Sequence, residues 1–284
     1  MEIVLIGNPT IDKIYVNECF IRESIGGGIY YSLEALRETY GRQHRISIIA
    51  VISPHQYSWL STLHRSGVEI IAYPSPMTNV FVLKYKDGKR RIYIEEKSPP
   101  LIFSLDKIYD VAIVNPVMNE ILPHQLRITK TKTRFTAIDI QGFIRRCRDK
   151  FIEYYRPPHL KDLFRFSNVV HMNDDEAQYL TGTPRFDEQV KKLVELSPST
   201  IFIVSSPEHV AMGTQSLYEY IEVPDTRYPD TTGAGDYLLA VFAVELYRSN
   251  DPMISLVRAI KKTQEWLNRK NASSRPATPN HHRH

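Results

Sequence analysis

Seven short apolar runs recur along the chain, and none is long enough to be a helix. They are residues 2–6 (EIVLI), 46–53 (ISIIAVIS), 68–73 (VEIIAY), 111–115 (VAIVN), 135–140 (FTAIDI), 169–173 (VVHMN) and 201–206 (IFIVSS). A strand with one wet face alternates apolar and polar residues; these runs scarcely alternate, so both faces must be covered. The cover lies between them. Residues 29–40 place Ile29, Leu33, Leu36 and Tyr40 on one helical face, and 59–67 and 186–196 read as further helices. The helices expected around 235–248 and 252–268 follow, the second striped by Leu256, Ile260, Thr263 and Leu267. The alternation predicts an α/β fold around a central, mostly parallel sheet. A barrel is disfavoured, because eight clear βα units are missing. A less buried strand is expected at 217–224.

One region breaks the rhythm. Residues 78–96 form two strand-like arms around Asp87-Gly88, a hairpin signal, with Lys84, Lys86, Lys89, Arg90 and Arg91 crowding its tip. Two readings stand: a solvated hairpin, or a flap whose charge faces a phosphate-bearing ligand.

Composition excludes several classes. No uninterrupted run of 18 apolar residues predicts a membrane span. The first residues read as a strand rather than a leader. Cys19 and Cys147, with no CxxC spacing, point neither to a disulfide framework nor to a zinc-thiolate site, so a cytoplasmic location is expected. A net charge of +4 is too small to argue for nucleic acid. The polar end from 271 to 284 is expected to fray, and His281, His282 and His284 in it carry no functional metal site in this reading.

In a parallel sheet, ligands collect beyond the carboxyl ends of the strands, so polar residues just after strands matter most. Four places qualify. Asp12 follows the first strand in GNPTID and can accept hydroxyl hydrogen bonds, although Asn-Pro and Asp also serve ordinary turns. Gly26, Gly27 and Gly28 precede a helix without the ending of a P-loop or the spacing of a dinucleotide turn. Asn173 and Glu176 stand three apart at a strand-to-helix junction; a capping box explains the spacing, and so does a carboxylate placed to hold hydrated Mg²⁺ through water. The fourth place is YPDTTGAGDY at 228–237, running into LLAVFAVELY. There Thr231 to Gly235 meet a helix start, whose free N–H groups favour anions. Asp236 follows at once and can take a hydroxyl proton while the amides hold phosphoryl charge.

In this order, DTTGAGD and Asn-x-x-Glu resemble the signatures of the PfkB (ribokinase-like) carbohydrate and nucleoside kinases, and the resemblance spans most of the chain. It implies a three-layer α/β/α sandwich over 1–270 with a small β-sheet lid drawn from about 13–23 and 74–97. It implies ATP- and Mg²⁺-dependent transfer of a phosphoryl group to a hydroxyl of a small polyol, sugar or nucleoside. By the resemblance, Asp236 is the catalytic base and Gly233, Ala234 and Gly235 form the anion hole. Asn173 and Glu176 organise Mg²⁺ and phosphates, Glu176 through water. Thr231 and Ser205 lie on the nucleotide side. Asp12, Gly27 and Gly28 line the acceptor pocket, together with Tyr31 and Asp236. The expected assembly is a monomer or a lid-mediated homodimer, with no nucleic acid or membrane partner.

Departures bear on the acceptor. Tyr31 stands where many sugar kinases of the family carry an asparagine, and a phenol cannot reproduce an amide's paired donor and acceptor. The segment after 201–206 lacks the usual glycine-rich turn. Arg90, Arg91, Arg145 and Arg146 are candidates to meet a sugar phosphate; Phe81, Tyr31 and Phe143 are candidates to stack a nucleoside. The reading leans to a cyclic polyol such as myo-inositol. The alternatives are a sugar or nucleoside kinase of the same family, or a catalytically silent sugar- or nucleotide-binding regulator. A dinucleotide oxidoreductase is disfavoured, since GNPTID is not GxGxxG.

Overall fold

The computed structural model describes residues 1–86, 89–224, 228 and 230–273. The expected Asp87-Gly88 turn, and residues 274–284 with the three tail histidines, lie outside the described residues.

Strands β1 (Glu2–Ile6), β4 (Arg45–Ile52), β5 (Glu69–Pro74), β8 (Tyr109–Val114), β9 (Thr133–Asp139), β12 (Val169–Asn173), β13 (Ile201–Ser205), β14 (His209–Gly213) and β15 (Tyr218–Glu222) form the main sheet. Their order is β15-β14-β13-β12-β9-β8-β1-β4-β5. From β13 to β5 every pairing is parallel. β14 and β15 add an antiparallel edge. The parity of the apolar runs sorts the core. Ile3, Leu5, Ile48 and Ile113 face one layer with helices α1 (Gly28–Tyr40), α2 (Tyr57–Arg65), α7 (Ala234–Ser249) and α8 (Pro252–Ser273). Val4, Ile6, Ile49 and Val114 face the other. There they meet α3 (Pro123–Lys132), α4 (Leu160–Arg165), α5 (Asp174–Thr181) and α6 (Phe186–Leu196). A strand presents successive side chains to opposite faces, so a run apolar at every position needs helices on both sides. The fold is thus the three-layer α/β/α sandwich.

A second, six-stranded sheet runs β10-β11-β7-β6-β2-β3. Its members are β2 (Thr10–Val16), β3 (Cys19–Gly26), β6 (Asn79–Lys86), β7 (Lys89–Glu96), β10 (Arg145–Arg148) and β11 (Phe151–Tyr154). Phe81, Leu83 and Ile94 pack with Val117 and Met118 in a separate small core. The β10–β11 hairpin was not anticipated from sequence; RRCRDKFIEY carries no apolar alternation. Lys84 in the basic arm is engaged within this sheet, 2.9 Å from Glu18 and over the rings of Tyr15 and Tyr93.

The last helix is longer than its pattern suggests: α8 continues to Ser273, past the helix expected around 252–268. Its last turns are tied down: Asn271 accepts from the Asp230 amide (3.0 Å) and donates to the carbonyls of Asp230 and Leu267. Among the described residues, no helix is long and apolar enough to cross a membrane.

Helix α7 is the centre of the first layer. Residues Tyr237 to Leu246 are all buried, which only an interior helix permits. Glu245 is accommodated by the Tyr40 hydroxyl (2.8 Å) and Arg258 (2.7 Å). Phe242 is fully buried, and Phe242→Ala is expected to cost about 3–5 kcal/mol. Chemical denaturation measures this; a loss under about 1 kcal/mol would mean that the layer re-forms around the gap.

Candidate active site

A cavity of about 620 Å³ lies beyond the carboxyl ends of the parallel strands, roofed by the second sheet. Thr10, Asp12, Gly27, Gly28, Tyr31, Phe81 and Val117 line one end. Asn173, Glu176, Ser205 and residues 231–236 line the middle. Asp12, Gly27, Gly28, Tyr31, Asn173, Glu176, Ser205, Thr231 and residues 233–236 therefore meet in one space, whereas Gly26, Arg91, Phe143 and Arg146 do not line it.

The centre is the start of α7. Gly233 is its N-cap at φ 86°, a left-handed conformation that suits glycine, and a Cβ there would strike the Tyr31 ring. No side chain caps this end; the Ala234 amide donates to the Thr231 carbonyl at 3.1 Å, and the Gly235 and Asp236 amides have no backbone acceptor among the described residues. Gly235 lies directly over the His171 imidazole; a Cβ would come within 2.5 Å of Cε1. Any side chain at either glycine would displace a wall of the cavity.

Asp236 follows on the first turn. Its Oδ1 accepts from Asn115 Nδ2 at 2.8 Å. Ser32 in turn donates to Asn115 Oδ1 and to the Asp236 carbonyl, each at 3.3 Å. Burial pushes the Asp236 carboxyl up to about 7, and the Asp139 carboxylate adds to the rise; His171 and the Asn115 hydrogen bond oppose it. A carboxyl poised near neutrality suits a base that must both hold and release a proton.

Behind the anion hole runs a buried polar chain. Asp139 Oδ2 lies 2.7 Å from His171 Nδ1, and Ser205 Oγ lies 2.9 Å from Nε2. Burial disfavours the imidazolium, but the hydrogen bond and charge of Asp139 outweigh it and raise His171 above the ordinary range.

Asn173 and Glu176 bear out the capping-box reading of their spacing. Asn173 Oδ1 accepts the Glu176 amide (2.8 Å), and Glu176 Oε2 accepts the Asn173 amide (3.1 Å), closing a capping box. The other oxygen, Oε1, is buried with no hydrogen-bond partner and has Arg145 at 3.7 Å. Burial, then Asp139, pushes Glu176 up to about 7, against the pull of Arg145. An orphaned buried carboxylate oxygen facing the cavity fits a hard, hydrated cation such as Mg²⁺. Among the described residues, no group of three His, Cys, Asp or Glu side chains forms a metal cage.

Asp12 Oδ1 accepts from Thr10 Oγ1 at 2.8 Å. Of the proposed nucleoside platforms, Phe81 lines the cavity, whereas Phe143 is a core residue packed under β9 and cannot stack a ligand. Arg145 lines the cavity; Arg146 pairs with Glu153 at the surface. Beyond Ser205 the cavity continues as a slot walled by Val210, Val223, Leu238, Ile260 and Leu267, with Thr263 and Gln264 as polar members.

Asn115, Asp139 and His171 were not singled out from sequence. Asn115 and Asp139 close or follow the apolar runs VAIVN and FTAID, the same strand-end signal that marked Asn173. His171 lies inside its run, and only the pairing of β9 with β12, which sets it opposite Asp139, shows its role.

The half-buried Asp236 carboxyl sets a stability test. Its folded pKa is raised, so ionisation costs the folded state more than the unfolded chain, and the cost grows as pH rises toward about 7. Asp236→Asn is therefore expected to raise Tm at pH 8, with the gain shrinking toward pH 5. Calorimetry across that range checks it; a gain that grows on acidification would contradict the environment described.

The model of the family described as pfkB family carbohydrate kinase matches residues 89–265, well over half of the chain. Among curated protein sequences there is no significant match. Solved structures are similar over nearly the whole chain. A sulfate complex of a pyrophosphate-dependent kinase in the ribokinase family superposes with a TM-score of 0.84 at 18% identity, covering 96% of this chain and 100% of that one. A pyrophosphate-dependent kinase of the same family, complexed with a pyrophosphate analog and myo-inositol, gives 0.80 at 19% identity, over 95% and 94%. Ribokinase from Thermotoga maritima gives 0.71 at 17%, over 97% and 96%. At these identities the likeness shows the fold.

Proposed function

The chain belongs to the pfkB carbohydrate kinase family, and from that premise we propose that it transfers the terminal phosphoryl group of ATP to a hydroxyl of a small cyclic polyol, represented by myo-inositol. A phosphoryl-transfer kinase of this family is established by the match; donor and acceptor are the proposal. The observation that carries it is the start of α7, where uncapped amides and a carboxyl poised near 7 share one cavity with Asp12.

The acceptor hydroxyl approaches Asp236, which takes its proton as the oxygen–phosphorus bond forms and the bond to the leaving diphosphate breaks. Gly233 and Gly235 present amides to the transferring group, while the Ala234 amide is held by the Thr231 carbonyl, and the presented amides act strongest once water is excluded. Asp12, oriented by Thr10, grips acceptor hydroxyls beside Gly27, Gly28 and Tyr31. Asn173 and Glu176 would hold Mg²⁺ through water, where the cation neutralises phosphate charge. Thr231 and Ser205 line the donor side, and the apolar slot beyond Ser205 suits a base of ATP. The second sheet serves as the lid.

A second reading concerns the donor. Two of the similar structures are of pyrophosphate-dependent kinases, one holding myo-inositol. Pyrophosphate needs the amides and the cation but not the slot; the apolar slot therefore supports ATP, and the likeness supports pyrophosphate.

Turnover with ATP or pyrophosphate, each with Mg²⁺, across inositol, ribose, fructose, fructose 6-phosphate, adenosine and cytidine tests the assignment. The expected outcome is transfer from ATP to inositol, abolished in Asp236→Asn with ATP binding nearly intact. Near-normal turnover in that variant sinks the mechanism, and inactivity with every pair returns the silent-regulator reading. Asp12→Ala is expected to raise the acceptor KM by roughly tenfold or more with donor KM little changed. Equal effects on both would remove Asp12 from the acceptor pocket.

A further inference from the structure

Strand parity places three polar side chains in a row on one face of the main sheet. Asp139, His171 and Ser205 come from the neighbouring strands β9, β12 and β13. His171 stands opposite Asp139 in register, and Ser205 lies two residues beyond Ile203, the partner of His171 on β13. Side chains two apart on a strand share a face. All three therefore face the α7 layer, where Ala137, Val169 and Ile203 of the same parity are packed. Asp139 Oδ2 is 2.7 Å from His171 Nδ1, and Ser205 Oγ is 2.9 Å from Nε2.

The order of these contacts fixes the direction of the protons. A carboxylate only accepts, so Nδ1 carries a hydrogen and donates it to Asp139. In the neutral ring Nε2 keeps its lone pair, and the Ser205 hydroxyl donates to it. The acid thus holds the ring in one tautomer, the ring turns its basic nitrogen to a hydroxyl, and the hydroxyl's residue lines the cavity. That is the division of labour around an activated serine nucleophile. The phosphoryl transfer described above gives His171 no part, and Ser205 only a place on the donor side. A position for developing charge lies alongside. A Cβ on Gly235 would come within 3.3 Å of Nε2, so α7 begins directly over the nitrogen that holds the Ser205 hydroxyl. The Gly235 and Asp236 amides, without a backbone acceptor among the described residues, are donors for an oxyanion formed there. Beyond Ser205 the cavity runs into the slot of Val210, Val223, Leu238, Ile260 and Leu267. Walls of that kind take an aliphatic chain as readily as a flat base.

We propose that Ser205 is the nucleophile of a second activity, the hydrolysis of small carboxylic esters whose acyl chain fills the apolar slot. Ser205 Oγ bonds to the ester carbonyl carbon as its proton passes to His171 Nε2, and the α7 amides hold the oxyanion. The bond to the alcohol oxygen then breaks, and the alcohol leaves with the proton from Nε2. Water attacks the acyl carbon on Ser205, giving a proton to Nε2; the acid departs and that proton returns to Oγ. Ser205 touches the substrate, His171 carries the proton, and Asp139 is a positioning residue. Water is the only co-reactant, so this activity is independent of the kinase reading.

A fluorophosphonate probe tests the nucleophile with neither ester nor nucleotide present. Mass spectra of the full chain and its peptides are expected to show an adduct on Ser205, formed with loss of fluoride. Ser205→Ala should remove it. His171→Gln should slow its formation by about 10²-fold or more. Asp139→Asn, close in shape to the parent residue, should slow it by about tenfold or more while circular dichroism stays that of the parent chain. With p-nitrophenyl butyrate, turnover is expected to fall at least about tenfold in Ser205→Ala, and Asp139→Asn should lower kcat with KM within about twofold. The absence of an adduct on Ser205 overturns the proposal. So does labelling as fast as the parent's in a folded His171→Gln or Asp139→Asn, or ester turnover that survives in Ser205→Ala. No arm reads kinase turnover, so failure here leaves the phosphoryl-transfer assignment standing.

Discussion

Helix α7 can sit only in the interior, because ten consecutive residues on it are buried and no polar stripe is left for water. An interior helix brings its first amides inside with it. These cannot be left bare in an apolar setting. The chain meets that demand by opening α7 at the cavity, over the imidazole of His171 and beside the ends of β8, β9 and β12. The anion site follows from where the most apolar helix has to begin. Gly233 and Gly235 are the local conditions for it, one by its backbone angle and one by its closeness to His171.

Once that helix end is fixed, the acids around it set the electrostatics. Burial raises the proton affinity of Glu176 and Asp236, and the Asp139 carboxylate raises both further. His171 and Arg145 offset part of this. A cluster of buried acids lowers the stability of the folded chain at neutral pH, because each must be charged where charge is poorly solvated. Such a cost persists where the groups have work to do. Under the proposed function Asp236 takes a proton beside the start of α7, and an unpartnered Glu176 oxygen faces the same space.

The frame of this arrangement was legible in the sequence because it depends on local patterns. Runs such as VAIVN and IFIVSS declare strands buried on both faces, and FDEQVKKLVEL declares its helix at its observed bounds, Phe186–Leu196. DTTGAGD before LLAVFAVELY declares the helix start. Long-range pairings were not legible. Asp139 and His171 are 32 residues apart and meet only because β9 and β12 are neighbours in register. Asn115 reaches Asp236 across 121 residues. The β10–β11 hairpin escaped notice because its residues are charged and it is held by pairing with the second sheet. The helix end at Ser273 escaped because its anchor, Asp230, is remote in sequence.

Tyr31 shows why the acceptor is harder to read than the reaction. The sequence marks it as a departure in an acceptor pocket. In the folded chain its ring lies under Gly233, beneath the Lys270 ammonium and edge-on to Trp266, while still lining the cavity. One side chain thus lines the cavity and supports the loop at the start of α7. A residue with two such duties cannot be exchanged for an asparagine on acceptor grounds alone, because the loop would lose the surface on which it rests. Its identity is therefore evidence about the loop first, and under the proposed function the choice of acceptor falls to what remains around it: Asp12, held by Thr10, and the apolar wall of Phe81 and Val117.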